Sequence, residues 1–326
     1  MEDYKKFRVL VTGGAGFIGS HIVDALLVQG VEFVRVLDDF SNGQWANLGQ
    51  HANNPRLELW EGSLADAALC TQACAGITHV SHQAALGSVP RSLVEPERFM
   101  AVNVVGFGNV LEAARKASVR RVVFASSSSV YGDEPGLPKV EKHIGKPLSP
   151  YALTKQINEQ QATLWQQLYG LETIGLRYFN VFGPRQRPDG PYAALLPRML
   201  TAARRGEAPT LFGDGEQTRD FTFVANVVQA NLLALTTANK DTFGQVFNVA
   251  TGHQISLNAA WNLIQHLTGN SSSPLYAPER PGDIRHSLAD ISKAQQLLGY
   301  TVEVGFEEGI IRTIPSESLS EFPQFG

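Results

Sequence analysis

The chain of 326 residues has only two cysteines and three methionines, and it contains no apolar run of membrane-spanning length. Cys70 and Cys74 lie four residues apart without further ligands around them, so a metal centre lacks its ligand set and a disulfide framework lacks its material. Both read as buried or idle thiols. An excess of charge is missing too. The 27 basic and 31 acidic side chains give a net charge of -4, which leaves no general footprint for nucleic acid or an anionic membrane. Any phosphate contact must therefore be local. The stretch Met1-Glu-Asp-Tyr-Lys-Lys6 carries no apolar signal region, and the expectation is a soluble cytoplasmic protein.

Apolar residues, by contrast, make up 43% of the chain, enough for a nucleotide-binding domain with a smaller second lobe. Phe7-Arg-Val-Leu-Val-Thr12 is a short apolar run ending in Gly13-Gly-Ala-Gly-Phe-Ile-Gly19, and a helical pattern follows to Gly30. Strand, tight turn and helix in that order let the backbone approach a pyrophosphate and aim free N–H groups at it. A second run, Phe33-Val-Arg-Val-Leu37, ends at Asp38, about twenty residues beyond the turn, where an acid can take both ribose hydroxyls. Asp39 lies beside it and only Arg35 is near. A 2′-phosphate would meet negative charge there, so the cofactor expected is NAD rather than NADP.

Further strand-like runs alternate with helical stretches: Leu57-Glu-Leu-Trp60, Thr78-His-Val-Ser-His82, Arg121-Val-Val-Phe-Ala125 and Thr173-Ile-Gly-Leu-Arg177. This alternation predicts an α/β fold with a Rossmann-type, doubly wound parallel sheet and ligands beyond the strand carboxyl ends. Three such ends are expected to converge above Gly16: Gln83-Ala-Ala-Leu-Gly-Ser-Val-Pro-Arg91, Ser126-Ser-Ser-Ser129 and Tyr178-Phe-Asn-Val-Phe-Gly-Pro184. Residues 1–182 are assigned to the NAD-binding domain and 183–326 mainly to a smaller C-terminal substrate-binding lobe. The strand-like segment 246–249 belongs either to that lobe or to the main sheet.

Ser149 and Pro150 mark a helix start and Gly170 a stop. At about 100° per residue, Tyr151 and Lys155 share one face, while Leu153, Ile157, Leu164 and Leu168 share the opposite one. The apolar stripe is expected to pack on the sheet. An ammonium four residues from a phenol, at the positive end of a helix, is expected to hold Tyr151 closer to ionisation, as a base requires. The proline- and glycine-rich segment 132–150 is expected to lie over the cleft.

Together, the glycine turn, Ser126-Ser-Ser-Ser-Val-Tyr-Gly132, Tyr151-x-x-x-Lys155 and Arg177-Tyr-Phe-Asn-Val-Phe-Gly183 resemble the extended short-chain dehydrogenase/reductase family, and within it the nucleotide-sugar 4-epimerases. The resemblance runs from Phe7 to Gly309. It is strongest to the branch acting on UDP-N-acetylglucosamine and UDP-N-acetylgalactosamine, through His82-Gln-Ala-Ala-Leu-Gly-Ser-Val-Pro-Arg-Ser92 and Pro191-Tyr-Ala-Ala194. It implies a tightly held NAD, a transient 4-keto sugar, and a homodimer built from the Tyr151 helix and the preceding one near 104–116. Tyr151, helped by Lys155, would remove the C4 hydroxyl proton, and Ser127 would hydrogen-bond the reacting oxygen.

For the cofactor, the resemblance implies contacts at Gly13, Gly16, Phe17, Ile18 and Gly19, and after the second strand at Asp38, Asp39, Phe40, Ser41, Asn42 and Gly43. Ser63, Leu64, Gln83, Ala84, Ala85, Asn103, Ala125, Tyr151, Lys155 and Tyr178 complete that set. For the UDP-sugar it implies Ser88, Val89, Arg91, Ser127, Ser128, Ser129, Tyr151 and Asn180, with Ala193, Ala194 and Leu195. Arg219 and Arg280 would hold the phosphates, and Asp283 the uridine ribose.

Related dehydratases carry acidic residues just after the catalytic Ser/Thr. Ser128 and Ser129 occupy those places here and titrate too high to replace them, which excludes dehydration. Ser287 stands where epimerases restricted to UDP-glucose and UDP-galactose place a bulky aromatic residue, and it leaves room for an N-acetyl group. Ser63 replaces an aspartate usual in the family, so adenine meets a weaker acceptor and NAD retention is expected to be looser. The alternatives are a 4-epimerase of UDP-glucose and UDP-galactose, or of UDP-glucuronate or its N-acetylated uronate counterpart. In a uronate enzyme Arg91 would be the cation near C6; otherwise it is a phosphate or loop contact. A catalytically silent NAD-binding sensor would lack Tyr151 or Lys155, and both are present.

Overall fold

Each apolar run is followed by a helix that must cross back before the next run, and such connections produce parallel strands. In the computed structural model, which describes residues 4–188, 195–279 and 284–314, these runs form a seven-stranded sheet. Its members are β1 (Arg8–Thr12), β2 (Phe33–Asp38), β3 (Leu57–Glu61), β4 (His79–His82), β5 (Arg121–Ser127), β6 (Glu172–Tyr178) and the strand Gln245–Val249. Every pairing is parallel. β1 has β2 on one side and β4 on the other, so the chain order reverses there and a crevice opens above Gly13. The strand Gln245–Val249 lies at the sheet edge beside β6, with Phe247 and Val249 fully buried.

Helix α1 (Phe17–Val28) and the helix Val224–Thr236 cover one face of the sheet. Helices α2 (Ala67–Cys74), α5 (Gly106–Lys116) and α6 (Pro150–Tyr169) cover the other. Between α2 and α5 come two short helices, α3 (Val89–Val94) and α4 (Pro96–Phe99), and a π-helical turn, Met100–Val105. A separate hydrophobic cluster gathers around Phe182, Met199, Leu211, Trp261 and Ile310, away from the sheet's two faces. Cys70 and Cys74 are buried free thiols, pushed up to about 11 and about 12 by desolvation. No helix among the described residues is long and apolar enough to cross a membrane.

Helix α6 starts and stops where its sequence indicates. The Ser149 side chain accepts from the Ala152 N–H, Pro150 occupies the first turn and Gly170 closes the helix in the left-handed conformation. Its orientation differs from the expectation. Leu153, Leu164 and Leu168 are 40%, 46% and 62% exposed, whereas Ala152, Lys155, Glu159 and Ala162 are buried. The reason is the polarity of the strand ends: β5 and β6 offer a carbonyl, a serine and an arginine to α6, and only its polar face can satisfy them.

Candidate active site

The crevice above the sheet is a cleft of about 720 Å³. Its floor is the glycine turn. A Cβ on Gly13, at φ 68°, would lie 2.7 Å from Ala84 Cα, and one on Gly19 would lie 2.1 Å from the Gly13 carbonyl oxygen. Any side chain there would fill the cradle. Asp38 stands at the end of β2, with one carboxylate oxygen accepting from the Ala15 N–H and the other from the Phe40 N–H, both at 2.9 Å. Each oxygen keeps a lone pair for a ribose hydroxyl. Burial pushes the Asp38 carboxyl up, and the Phe40 and Ala15 amides counter it. Arg35 points away: it pairs with Glu58 at 2.6 Å and donates to the Ala73 and Ala75 carbonyls. No counter-ion for a 2′-phosphate is therefore available from it.

Gly16, Phe17, Ile18, Asp39, Ser41, Asn42, Gly43, Ser63, Leu64, Ala84, Ala85 and Ala125 also line the cleft. Phe40 turns aside and stacks on Trp45 at 4.1 Å. Asn103 lies beneath the lining, where it accepts from the Leu86 N–H at 2.9 Å and donates to the Leu86 carbonyl and to Thr154. It shapes the segment after β4 from below. Gln83 and Tyr178 face each other across the sheet end. The Tyr178 hydroxyl donates to Gln83 Oε1 at 3.0 Å, and Asn231 donates to Tyr178 at 2.8 Å.

At the far end of β5, Ser126, Ser127, Tyr151 and Lys155 line the cleft together. Lys155 is 2% exposed and donates from Nζ to the Ala125 carbonyl at 2.8 Å. Burial pulls it down to about 8, opposed by Glu159 one turn further on. Burial raises the Tyr151 phenol, and a hydrogen-bonding contact with Ser127 lowers it. The expectation of a phenol held near ionisation is thus not met in the protein alone, because desolvation outweighs the help from its neighbours. Ser127 also accepts from the Ser129 N–H at 3.1 Å, which starts a 3-10 turn over Ser128–Tyr131. Ser128 and Ser129 enter that turn and are not among the described residues lining the cleft.

Behind this group is a buried polar network. Ser126 donates to Glu159 at 2.5 Å, and Arg177 holds both carboxylate oxygens of Glu159 at 2.8 Å. Arg177 lies over the Tyr131 ring, and Tyr131 donates to Asn248 at 2.6 Å. His82, under Lys155 and paired with Thr12 at 2.9 Å, is neutral, pushed down to about 3 by burial and by Lys155. The sequence motifs mark neither Glu159 nor Asn231. Glu159 had a signal, being four residues after Lys155 on the same helical face; Asn231 had none, since its partner Gln83 is 148 residues away.

On the substrate side, Ser88 caps α3 by accepting from the Arg91 N–H, and Val89 at its start is 40% exposed. Arg91 lines the cleft but is held by Glu95 at 3.0 Å. Asn180, at φ 34°, donates to the Asp220 carbonyl at 3.3 Å and also lines the cleft. Asp220 is fully buried and accepts from Thr251, Gly252 and Ala289, which ties three separate segments together. Arg219 donates to the carbonyls of Thr218 and Arg285, and the Ser287 N–H donates to Thr218. Arg219 ends the short strand Thr218–Arg219 and Ser287 follows an isolated bridge from His286 to Thr218, so the two segments lie side by side, and neither residue is among the described residues lining the main cleft. Leu195 begins a helix, half-buried. Ala193, Ala194, Arg280 and Asp283 lie outside the described residues.

Residues 9–250 match the family model described as the NAD dependent epimerase/dehydratase family. The chain belongs to that family. A UDP-glucose 4-epimerase of Mycolicibacterium smegmatis is 40% identical over 309 residues, covering 94% of this chain and 97% of the relative. Among solved structures, a UDP-N-acetylglucosamine 4-epimerase from Methanobrevibacter ruminantium M1, in complex with UDP-N-acetylmuramic acid, is similar with a TM-score of 0.90 and 39% identity, covering 95% and 97% of the two chains. A UDP-glucose 4-epimerase from Thermus thermophilus in complex with NAD is similar with a TM-score of 0.84 and 36% identity, covering 94% and 97%. Family membership makes NAD the cofactor. The glycine cradle, the lone pairs of Asp38 and the diverted Arg35 fit it.

Proposed function

We propose that the protein is a UDP-N-acetylhexosamine 4-epimerase that interconverts UDP-N-acetylglucosamine and UDP-N-acetylgalactosamine through a 4-keto sugar. The observation that carries the chemistry is the group formed by Ser127, Tyr151 and Lys155 at one end of a cleft whose other end holds the glycine turn and Asp38. NAD, when bound, supplies a reversible acceptor for the hydrogen on C4. Its positive nicotinamide ring, when bound, would add to the charge of Lys155 in favouring the ionised Tyr151 phenol.

Tyr151 takes the C4 hydroxyl proton as the alcohol becomes a ketone and returns it after the sugar has turned over. Ser127, in contact with the phenol, holds the reacting oxygen. Lys155, one turn along the same helix and fixed on the Ala125 carbonyl, keeps its charge at one place in the cleft. Gln83, Tyr178 and Asn231 stiffen the wall opposite. Asn180 and Arg219 are assigned to the UDP-sugar, with Asp220 holding their segment in place.

The choice of an acetylated sugar rests on Ser287, a small buried side chain in the segment that hydrogen-bonds Thr218, next to Arg219. The second reading, UDP-glucose and UDP-galactose, is favoured by the name of the M. smegmatis relative. A uronate is disfavoured because the Arg91 guanidinium already has the Glu95 carboxylate for a partner. The exposed α6 stripe of Leu153, Leu164 and Leu168, with Val105 at 55% exposure on the π-helical turn, supports a homodimer across α5 and α6. The test is to incubate the purified protein with each UDP-sugar and resolve the epimers. Turnover of UDP-N-acetylglucosamine supports the assignment, turnover of UDP-glucose alone supports the second reading, and bound NAD without any turnover would indicate a sensor.

A further inference from the structure

A phosphate-bearing cofactor needs counter-charge as well as a glycine cradle, and the cleft holds little that is uncommitted. Its described cations are Arg91, Lys155, Arg185 and Arg187. Arg91 is paired with Glu95, and Lys155 donates to a carbonyl at the opposite end. Arg185 differs from both. It lines the same cleft as Gly16, Phe17 and Ile18, and among the described residues only one of its terminal nitrogens is engaged, Nη2 with Asp24 at 2.7 Å. Nη1 is buried and has no acceptor among the described residues. The backbone of Arg185 sits at φ 66°, a conformation that a residue with a Cβ adopts only under constraint.

The constraint comes from α1, the helix that begins at the glycine turn. Asp24 accepts from Arg185 through one oxygen and, through the other, from His51 at 2.8 Å and Gln50 at 2.7 Å. His21, one turn earlier, donates to the Pro184 carbonyl at 3.0 Å. The segment after β2 is tied to the glycine turn as well, since the Gln44 N–H and the Asn47 side chain both donate to the Ala15 carbonyl. Two flaps of the cleft thus meet on a single aspartate, one through Gln50 and His51 at the end of the segment that begins with Ser41, Asn42 and Gly43, and the other through Arg185 beside Gln186.

We propose that Arg185, anchored by Asp24, is a guanidinium clamp on the diphosphate of bound NAD, and that the Asp24 anchor joins the two flaps between which the cofactor leaves. A buried N–H of a guanidinium requires an acceptor, and a diphosphate oxygen provides a charged one beside the start of α1. The clamp would hold the cofactor at the diphosphate where Ser63 gives adenine only a neutral partner. It rests on the NAD site and is independent of the choice of sugar.

The experiment uses the purified holoenzyme, rapidly desalted at intervals after dilution, with retained NAD released by denaturation and quantified by absorbance. Arg185→Ala and Asp24→Asn are each expected to lose NAD about tenfold faster than wild type, and the double variant no faster than about twofold beyond the quicker single one. Added salt should accelerate loss from wild type and leave Arg185→Ala nearly unchanged. Should the alanine variant fail to fold, Arg185→Gln removes the charge at similar length. An arginine variant that releases NAD within about twofold of the wild-type rate overturns the clamp. Retention is read without any sugar present, so a holoenzyme that fails to epimerise overturns the proposed activity and leaves this result standing.

Discussion

Lys155 and Ala125 are joined by a 2.8 Å hydrogen bond from the ammonium to the last carbonyl before the serines. The charge is thereby fixed beside the end of β5, at the cost of being almost fully desolvated.

The cost has a pH signature. The folded protein holds Lys155 near 8 against an ordinary 10.5, so below about 8 both the folded and unfolded states carry the proton and the full burial penalty applies. Between those values only the unfolded state carries it, and wild-type stability rises with pH. Lys155→Met is expected to melt above wild type at pH 7, with the gain shrinking as pH rises from about 8 to 10.5, in thermal scans across that range.

Removing the phenolic hydroxyl tests the proton-transfer assignment. Tyr151→Phe should retain NAD and lose epimerisation by at least about a hundredfold, the lower end of what a positioned base contributes. An active variant would falsify the role given to Tyr151.

Glu159 and Arg177 form a bidentate pair at 2.8 Å, and both are buried. Glu159→Gln leaves the guanidinium without its counter-charge and should lower stability by about 3–5 kcal/mol in urea denaturation. A second substitution, Arg177→Met, is expected to recover much of that loss. Additive losses would show that the pair is not the source.

Ser287 bears on the sugar. Ser287→Tyr is expected to stop turnover of UDP-N-acetylglucosamine and keep that of UDP-galactose, measured by separating products from each. Undiminished turnover of the acetylated sugar removes Ser287 from the specificity argument.

At Ser63 the cleft offers a hydroxyl that itself accepts from the Ala65 N–H at 3.2 Å. Ser63→Asp supplies a charged acceptor to an adenine amine and should slow NAD loss several-fold, on the order of one charge-assisted hydrogen bond. Loss at the wild-type rate would place the adenine elsewhere.

Much of this protein is determined within short windows of its sequence. The turn from Gly13 to Gly19, the acid at the end of β2 and the caps of α6 are legible because each depends on neighbours a few residues away: a cradle without Cβ atoms, a strand end, a serine three residues from the N–H it accepts. The alternation of apolar runs likewise dictates a parallel sheet. Tertiary structure alone decided the rest. Hydrophobic periodicity would have placed the leucines of α6 on the sheet; the strand ends instead demanded partners for Ser126, the Ala125 carbonyl and Arg177, and buried polar groups outweigh an apolar stripe that stays exposed. The same holds for Asn231 against Gln83 and Arg185 against Asp24, pairs separated by 148 and 161 residues, whose meeting follows from long-range packing around the sheet. Local chemistry set which groups the cleft contains, and long-range packing set which of them are free to act.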